Sequence, residues 1–339
     1  MKLRQKIFCD SIFIEKVLEE RKNRSRPHMI AYQIMLRFGD IYVDLSKEEL
    51  KKAIRENDFY KKIFKSENRG IHSAPNWKFR FNFEKVTDEV LFITENTFSD
   101  ELNVLRKKYG CLIISSDNDI HYLERLCRDQ NFSLIPSKRR FIFQKHYNNS
   151  WKDVFKKGIE PINAAIINDN YIFSDKYDER ARYSLYPLLE AIIPKHLDSN
   201  TDFHLTFFHC NDKGIFTQQK AIDIINDLKK LNLSDNIKIS IVSHTQKEIS
   251  HDRLILTNYH YITSGKGFSV IDKEGVKETV LGSCNCIFHS IDSISSEETI
   301  KHKHDYILEW LKDIFNNHIN DNKNCFVEGD SIVNRLLYS

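Results

Sequence analysis

Strand-length apolar runs alternate with helix-period segments along the whole chain, and this alternation constrains the fold more than any other feature. A strand buried on both faces reads as a continuous apolar run, whereas a helix laid over it shows apolar residues three and four apart. In the first half the strand candidates are "KIFCD", "DIYVDL", "WKFRFNFEK", "EVLFITE" and "CLIISS". Between them lie the helical segments "SIFIEKVLEERK", "SKEELKKAIREN" and "FSDELNVLRKKYG". Ser46 with Glu49 three residues on predicts a capping box, and Gly110 closes the third helix. Strand, helix and strand joined by short turns favour a parallel sheet, so the expected fold class is α/β.

The segment "PSKRRFIFQKHYNNSWKDVFKKGIEP" is basic, carries proline at each end and breaks the alternation. It sets an expected boundary near 150, with one domain over 1–150 and a second over 151–339. Beyond it, "NAAIINDNYIFS" reads as a hairpin or bent strand and "YDERARYSLYPLLEAIIPK" as a helix. "DFHLTFFHC" and "IKISIVSH" are strands around the helix "QQKAIDIINDLKKLN". A long amphipathic helix, "EETIKHKHDYILEWLKDIFNNH", lies near the C-terminus.

With 51 basic and 48 acidic residues, the net charge of +3 gives no global attraction to nucleic acid, so any such surface must be a local patch. One candidate is "SKRRFIFQKH", where a strand face could present Lys138 or Arg140 interleaved with phenylalanine. A solvated edge strand accounts for the same residues. Seven scattered cysteines, several within apolar runs, are expected to be buried and reduced, which points to the cytoplasm. No stretch approaches the roughly 18 uninterrupted apolar residues of a membrane span, so no membrane insertion is expected. The lysine, asparagine and isoleucine bias suggests a bacterial source.

The stretch "HDRLILTNYHYITSGKGFSV" (251–270) places His251 and Arg253 on one face of a strand, followed by Asn258 and the glycines Gly265 and Gly267. The spacing resembles the phospholipase D pattern H-x-K-x-x-x-x-D, in which a histidine attacks phosphorus and a lysine neutralises the phosphate oxygens. Here Arg253 could clamp a phosphate bidentately, but Asn258 cannot carry the acid's charge. The chain has no second H-x-K, so only a dimer pairing two copies of His251 would complete a histidine phosphodiesterase.

Four segments in order resemble the non-catalytic phospholipase D-like domain at the C-terminus of MIT-domain proteins. They are Asp169 and Tyr171 in "INDNYIFSD", the helix "YSLYPLLEAIIP", the strand "FHLTFF" and the H-x-R strand turning through Gly265 and Gly267. The likeness covers roughly 160–272, about a third of the chain. It implies a module that binds phosphate or another anionic ligand, of a kind whose bacterial members resemble parts of conflict or defence systems. An ordinary hairpin, with Gly265 and Gly267 only serving its turn, is the competing reading.

In the N-terminal half, Asp10 ends an apolar strand and is followed by Ser11 and an apolar helix. This resembles the opening of PIN-like nuclease domains, as an alternative to a plain Rossmann-like domain. Glu48 or Glu49 would match the family's second acid, and Asp117 or Asp119 the last. Thr94, Glu95 and Asn96 stand where T-x-D is usual, so an asparagine replaces one metal-binding aspartate. Several carboxylates are needed because Mg²⁺ or Mn²⁺ prefers hard oxygen ligands. Helix capping explains Asp10, Ser46 and Asn96 equally well.

The expected role is therefore a nucleic-acid- or phosphate-ligand-binding or sensing component of a bacterial anti-phage or conflict system. It would act with a partner protein or as a homo-oligomer, and His251, Arg253, Asn258, Lys138 and Arg140 would contact the ligand without a cofactor. The alternative is a metal-dependent nuclease using Asp10, Glu49 and Asp117 with Mg²⁺ or Mn²⁺.

Overall fold

The computed structural model describes residues 5–37, 39–66, 70–80, 90–93, 99–115, 119–126, 139–142, 150–155, 161–170, 172–173, 177–246, 253–272, 275–276, 285–289, 300–319, 321–330 and 334–337. The first sheet begins with β1 (Gln5–Cys9), followed by α1 (Ser11–Lys22) and α2 (Arg26–Arg37). Then come β2 (Gly39–Val43), α3 (Lys47–Glu56), α4 (Asp58–Phe64), β3 (Ile71–Ser73) and α5 (Trp77–Arg80). β4 (Val90–Ile93), α6 (Ser99–Tyr109), β5 (Leu112–Ser115) and α7 (Tyr122–Arg125) complete it.

These five strands are all parallel, in the order β3-β2-β1-β4-β5. Alternation within each strand gives the sheet two distinct faces. Ile7, Cys9, Ile41, Val43, Val90, Phe92, Leu112 and Ile114 join one core with Phe13, Ile14, Val17, Ile34, Leu50 and Ile63 of α1–α4. On the opposite face Leu91 and Ile113 pack with Trp77 and with Leu102 of α6. The order reverses between β1 and β4, which is where an open parallel sheet leaves a crevice beyond its strand ends.

The second sheet takes β6 (Arg139–Ile142), β7 (Ala164–Asn168), β8 (Phe203–Cys210), β9 (Ile237–His244), β10 (Leu254–Thr257) and β11 (Tyr261–Ser264). A separate ribbon is made by β12 (Ile271–Asp272) and β13 (Gly275–Val276), and β14 (Asn285–His289) and β15 (Phe326–Gly329) return to the large sheet. Its order is β15-β9-β8-β7-β10-β11-β14-β6, parallel across β7, β8 and β9 and antiparallel elsewhere. β6 lies before position 150, so this sheet draws on residues from both sides of the expected boundary.

Its helices are α8 (Trp151–Val154), α9 (Tyr177–Arg180), α10 (Tyr186–Ile192), α11 (Gln218–Lys229) and α12 (Ile300–Asn317). A π-helical turn, Ala181–Leu185, joins α9 to α10. α12 buries Ile307, Leu308, Leu311 and Ile314 against Ile166, Phe208, Val242 and Leu256. The other face carries Ile167, Phe207, Ile239 and Ile255 into the core shared with the first sheet.

The two sheets also meet through polar contacts. The Tyr259 hydroxyl accepts the Leu112 N–H at 2.7 Å, and the Asn163 carboxamide donates to the Tyr109 carbonyl at 2.9 Å. Gly110 sits at φ +62°, and a Cβ there would lie 2.3 Å from the Ile162 carbonyl oxygen. Gly110 thus ends α6 as expected and also lets the second sheet approach.

One expectation about elements needs correction. Trp77–Arg80, the start of the strand candidate "WKFRFNFEK", forms α5, with Trp77 packed on Phe8 at a ring-centroid distance of 5.5 Å and Lys78 reaching Asp10; residues 81–85 lie outside the described residues. Of the segment read as a hairpin or bent strand, the described residues form one strand, β7. The capping box on α3 forms as expected. Cys9, Cys111, Cys210 and Cys325 are buried free thiols. Among the described residues no helix is long and apolar enough to cross a membrane.

Candidate functional site

The parallel strands β7, β8 and β9 end along one edge of the second sheet, and the chain brings its chemistry-bearing residues there. Asp169 directly follows β7, and antiparallel pairing sets Leu254 opposite Asn168. Arg253 therefore falls at the same edge. The β10–β11 pairing then returns Ser264 to it, and the Ser264 N–H donates to the Arg253 carbonyl at 2.9 Å.

The chain turns tightly from Ser264 to Gly267. The Gly267 N–H donates to the Ser264 carbonyl at 3.2 Å, and the Ser264 hydroxyl donates to the Gly267 carbonyl at 2.5 Å. One guanidinium nitrogen of Arg253, Nη1, donates to the Gly265 carbonyl at 2.8 Å. The buried Asp169 carboxylate accepts the Phe268 N–H at 2.7 Å. Gly267 sits at φ +81°, where a Cβ would be 2.7 Å from Asp169 Oδ2 and 2.9 Å from Arg253 Cδ. Only glycine suits both that conformation and that closeness.

A second set of residues holds the turn from beneath. The Ser184 hydroxyl donates to the Phe268 carbonyl at 2.5 Å, and Trp151 Nε1 donates to the Ser184 oxygen at 3.3 Å. Ser184 belongs to the π-helical turn, a rare local widening that re-aims side chains and is often found at functional sites. The result is a fixed loop with an arginine beside it, Lys266 exposed at its tip and a buried carboxylate below. A planar guanidinium fixed in this way is suited to gripping an oxyanion.

The neighbouring strands contribute packing groups. His209 near the end of β8 lies 4.5 Å from the Phe216 ring and 5.8 Å from that of Phe173. Burial pushes its pKa down to about 3. His244 at the end of β9 meets Trp310 edge-on, and burial lowers its pKa to about 4. Both are neutral at physiological pH.

Asn258 sits at the far end of β10 from Arg253. Five residues of extended chain separate the two by about 17 Å. Its carboxamide oxygen accepts the N–H groups of Asn163 and Ala164 at 2.9 and 3.0 Å, and its Nδ2 donates to the Asn163 side chain at 2.9 Å. Buried in this way, Asn258 fixes the start of β7. His251 and Lys138 lie outside the described residues. Arg140 is on β6, the last strand of the sheet, aligned with Ile287 of β14.

At the first sheet, Asp10 and Asp44 follow the adjacent strands β1 and β2. Asp10 is buried and its Oδ2 lies 2.9 Å from Lys78 Nζ, while Asp44 Oδ1 accepts the Ser11 N–H at 2.7 Å. Glu49 is exposed, and its carboxylate accepts the Ser46 N–H at 2.8 Å. Hydrogen bonds from Ser46 hold the Glu49 pKa below its ordinary value. Asp119 is buried against the Arg106 guanidinium. Asp117 and Thr94–Asn96 lie outside the described residues, and among the described residues no three carboxylate, histidine or cysteine groups converge as a metal site. With Asp10 on an ammonium and Glu49 on its own helix cap, the described donors do not assemble around a divalent cation.

The fold and this edge define an α/β protein with one parallel and one mixed sheet, whose mixed sheet carries a braced arginine–glycine turn at the ends of its parallel strands. No protein-family model matches the chain, and no curated protein matches it in sequence.

Proposed function

We propose that the chain binds a phosphate-bearing ligand, a nucleotide or nucleic acid, at the edge formed by Asp169, Arg253 and the Ser264–Phe268 turn. The observation that carries this reading is the Arg253–Gly265 hydrogen bond at 2.8 Å, which fixes a guanidinium beside a turn held by Asp169 and Ser184. A preorganised arginine loses little conformational entropy when it engages an oxyanion. The reading is one of binding or sensing: among the described residues His209 and His244 pack against aromatic rings, and Asn258 holds the start of β7. A wider role in a bacterial anti-phage or conflict system, with a partner protein, rests on the family resemblance alone.

The test is equilibrium binding of nucleotides and of DNA and RNA oligonucleotides to the wild type, Arg253→Ala and Arg253→Lys. Loss of affinity of about 10- to 100-fold in Arg253→Ala is expected, with partial retention in Arg253→Lys. Unchanged affinity in Arg253→Ala would defeat the proposal.

A second reading, a metal-dependent nuclease, is favoured by the placement of Asp10 at the β1–β4 reversal with Asp44 beside it. Cleavage of nucleic acid that needs Mn²⁺, stops with EDTA and is lost in Asp10→Ala would establish it over binding alone.

A further inference from the structure

Gly265 stands out within the turn because the fold does not require a glycine there. Its backbone is not left-handed, and a Cβ built on it would meet nothing within 4 Å among the described residues. Gly267, two residues on, is demanded by both conformation and crowding. A glycine with no internal need costs backbone entropy in the unfolded chain. What it does provide is unobstructed access to the peptide for something outside. Between the two glycines, Lys266 is exposed. The Gly265 carbonyl already holds Arg253, and Lys266 is the next residue along the turn.

We propose that the Gly265–Lys266 segment is the seat of a phosphomonoester, with Lys266 as the second cation beside Arg253 and Gly265 keeping the backbone clear for the phosphate oxygens. The inference rests on the phosphate-binding reading above and narrows its ligand. A terminal phosphate carries up to two negative charges and three oxygens, whereas an internal phosphodiester carries one charge. Two cations, one at the turn and one beside it, match the former. The group could belong to a free nucleotide or to the phosphorylated end of a nucleic acid.

The full chain is titrated by fluorescence anisotropy with a labelled oligothymidylate bearing a 5′-phosphate and with its 5′-hydroxyl counterpart. AMP and inorganic phosphate serve as competitors. The 5′-phosphate strand is expected to bind about tenfold or more tightly than the 5′-hydroxyl strand. Displacement by AMP points to a free nucleotide as the source of the phosphate, and binding of the phosphorylated strand with no such displacement points to a nucleic-acid end. Lys266→Gln and Gly265→Ala should each weaken binding of the 5′-phosphate strand by about 10- to 100-fold. Gly265→Ala should unfold at the same or a higher temperature than wild type, which separates lost access from lost fold. Equal binding of the two strands, or wild-type affinity in Gly265→Ala and Lys266→Gln, overturns the assignment. If Arg253→Ala alone abolishes binding, the phosphate reading stands and this inference falls. If Arg253→Ala also binds normally, both fall.

Discussion

The Tyr259 hydroxyl accepts the Leu112 N–H at 2.7 Å, joining the first residue of the edge strand β5 to the turn between β10 and β11. Both residues are fully buried. Tyr259→Phe strips the only hydroxyl from this contact and strands a buried donor, at a cost of about 1–3 kcal/mol. Urea unfolding should show this loss with an unchanged m-value, and the Leu112 amide should exchange faster with solvent. A wild-type midpoint would refute the role given to the bond.

Gly267→Ala should be destabilising, in contrast to Gly265→Ala. The φ of +81° disfavours any side chain, and the added methyl collides with Asp169 and Arg253. A loss of about 1–3 kcal/mol is expected from strain of this kind. Calorimetry of the two alanine variants side by side reads the contrast directly, and equal melting temperatures would contradict it.

Lys78 holds the buried Asp10 carboxylate at 2.9 Å. Lys78→Ala removes the partner and leaves the carboxylate beneath the end of β1. Because Lys78 is itself partly exposed, water replaces some of the lost interaction, and a cost of about 1–3 kcal/mol is expected. With the ammonium in place, millimolar Mn²⁺ should not raise the melting temperature of the wild-type protein, since a cation that bound only the folded state would do so. A Mn²⁺-dependent rise would show that the folded protein binds the cation and would favour the second, metal-dependent reading.

Acid should weaken the fold through His209 and His244. Their folded pKa values, about 3 and about 4, lie below the ordinary value of 6.5, so the folded state favours the neutral rings. The associated stability is fully present above pH 6.5 and is lost as the pH falls from there toward 4 and 3. Within that window each histidine contributes a slope of up to about 1.4 kcal/mol per pH unit. His209→Phe, which keeps a ring between Phe173 and Phe216, should flatten this limb by about one proton. An unchanged slope in urea titrations at pH 5 and pH 7 would count against the assignment.

Much of the secondary structure is legible without coordinates. The Ser46–Glu49 box, the Gly110 stop and the apolar run of β8 are local, because each depends on residues within a turn or on burial of both strand faces. α2 and β3 are not anticipated: "RPHMIAYQIMLR" contains a proline at its second position, and Ile71–Ser73 is too short to show a period. The strand candidate beginning at Trp77 misleads over 77–80, where an ion pair to Asp10 and packing on Phe8 favour a helical turn.

For the site, the sequence by itself determined that Arg253, Gly265 and Gly267 lie close along the chain and that the motif lacks its lysine and acid. It also showed Lys266 between two glycines without giving that lysine any importance. Only the tertiary structure decided which motif positions reach the open edge of the sheet. Sheet pairing carries Arg253 and Ser264 to the edge where Asp169 ends β7, and it buries Asn258 at the other end of β10 against Asn163. The same long-range packing consigns Asp10 to Lys78, while Glu49 is held locally on its own helix cap. The physical reason is that spacing along one strand fixes only which side a residue faces, whereas the partner strands fix which end is open and which is buried.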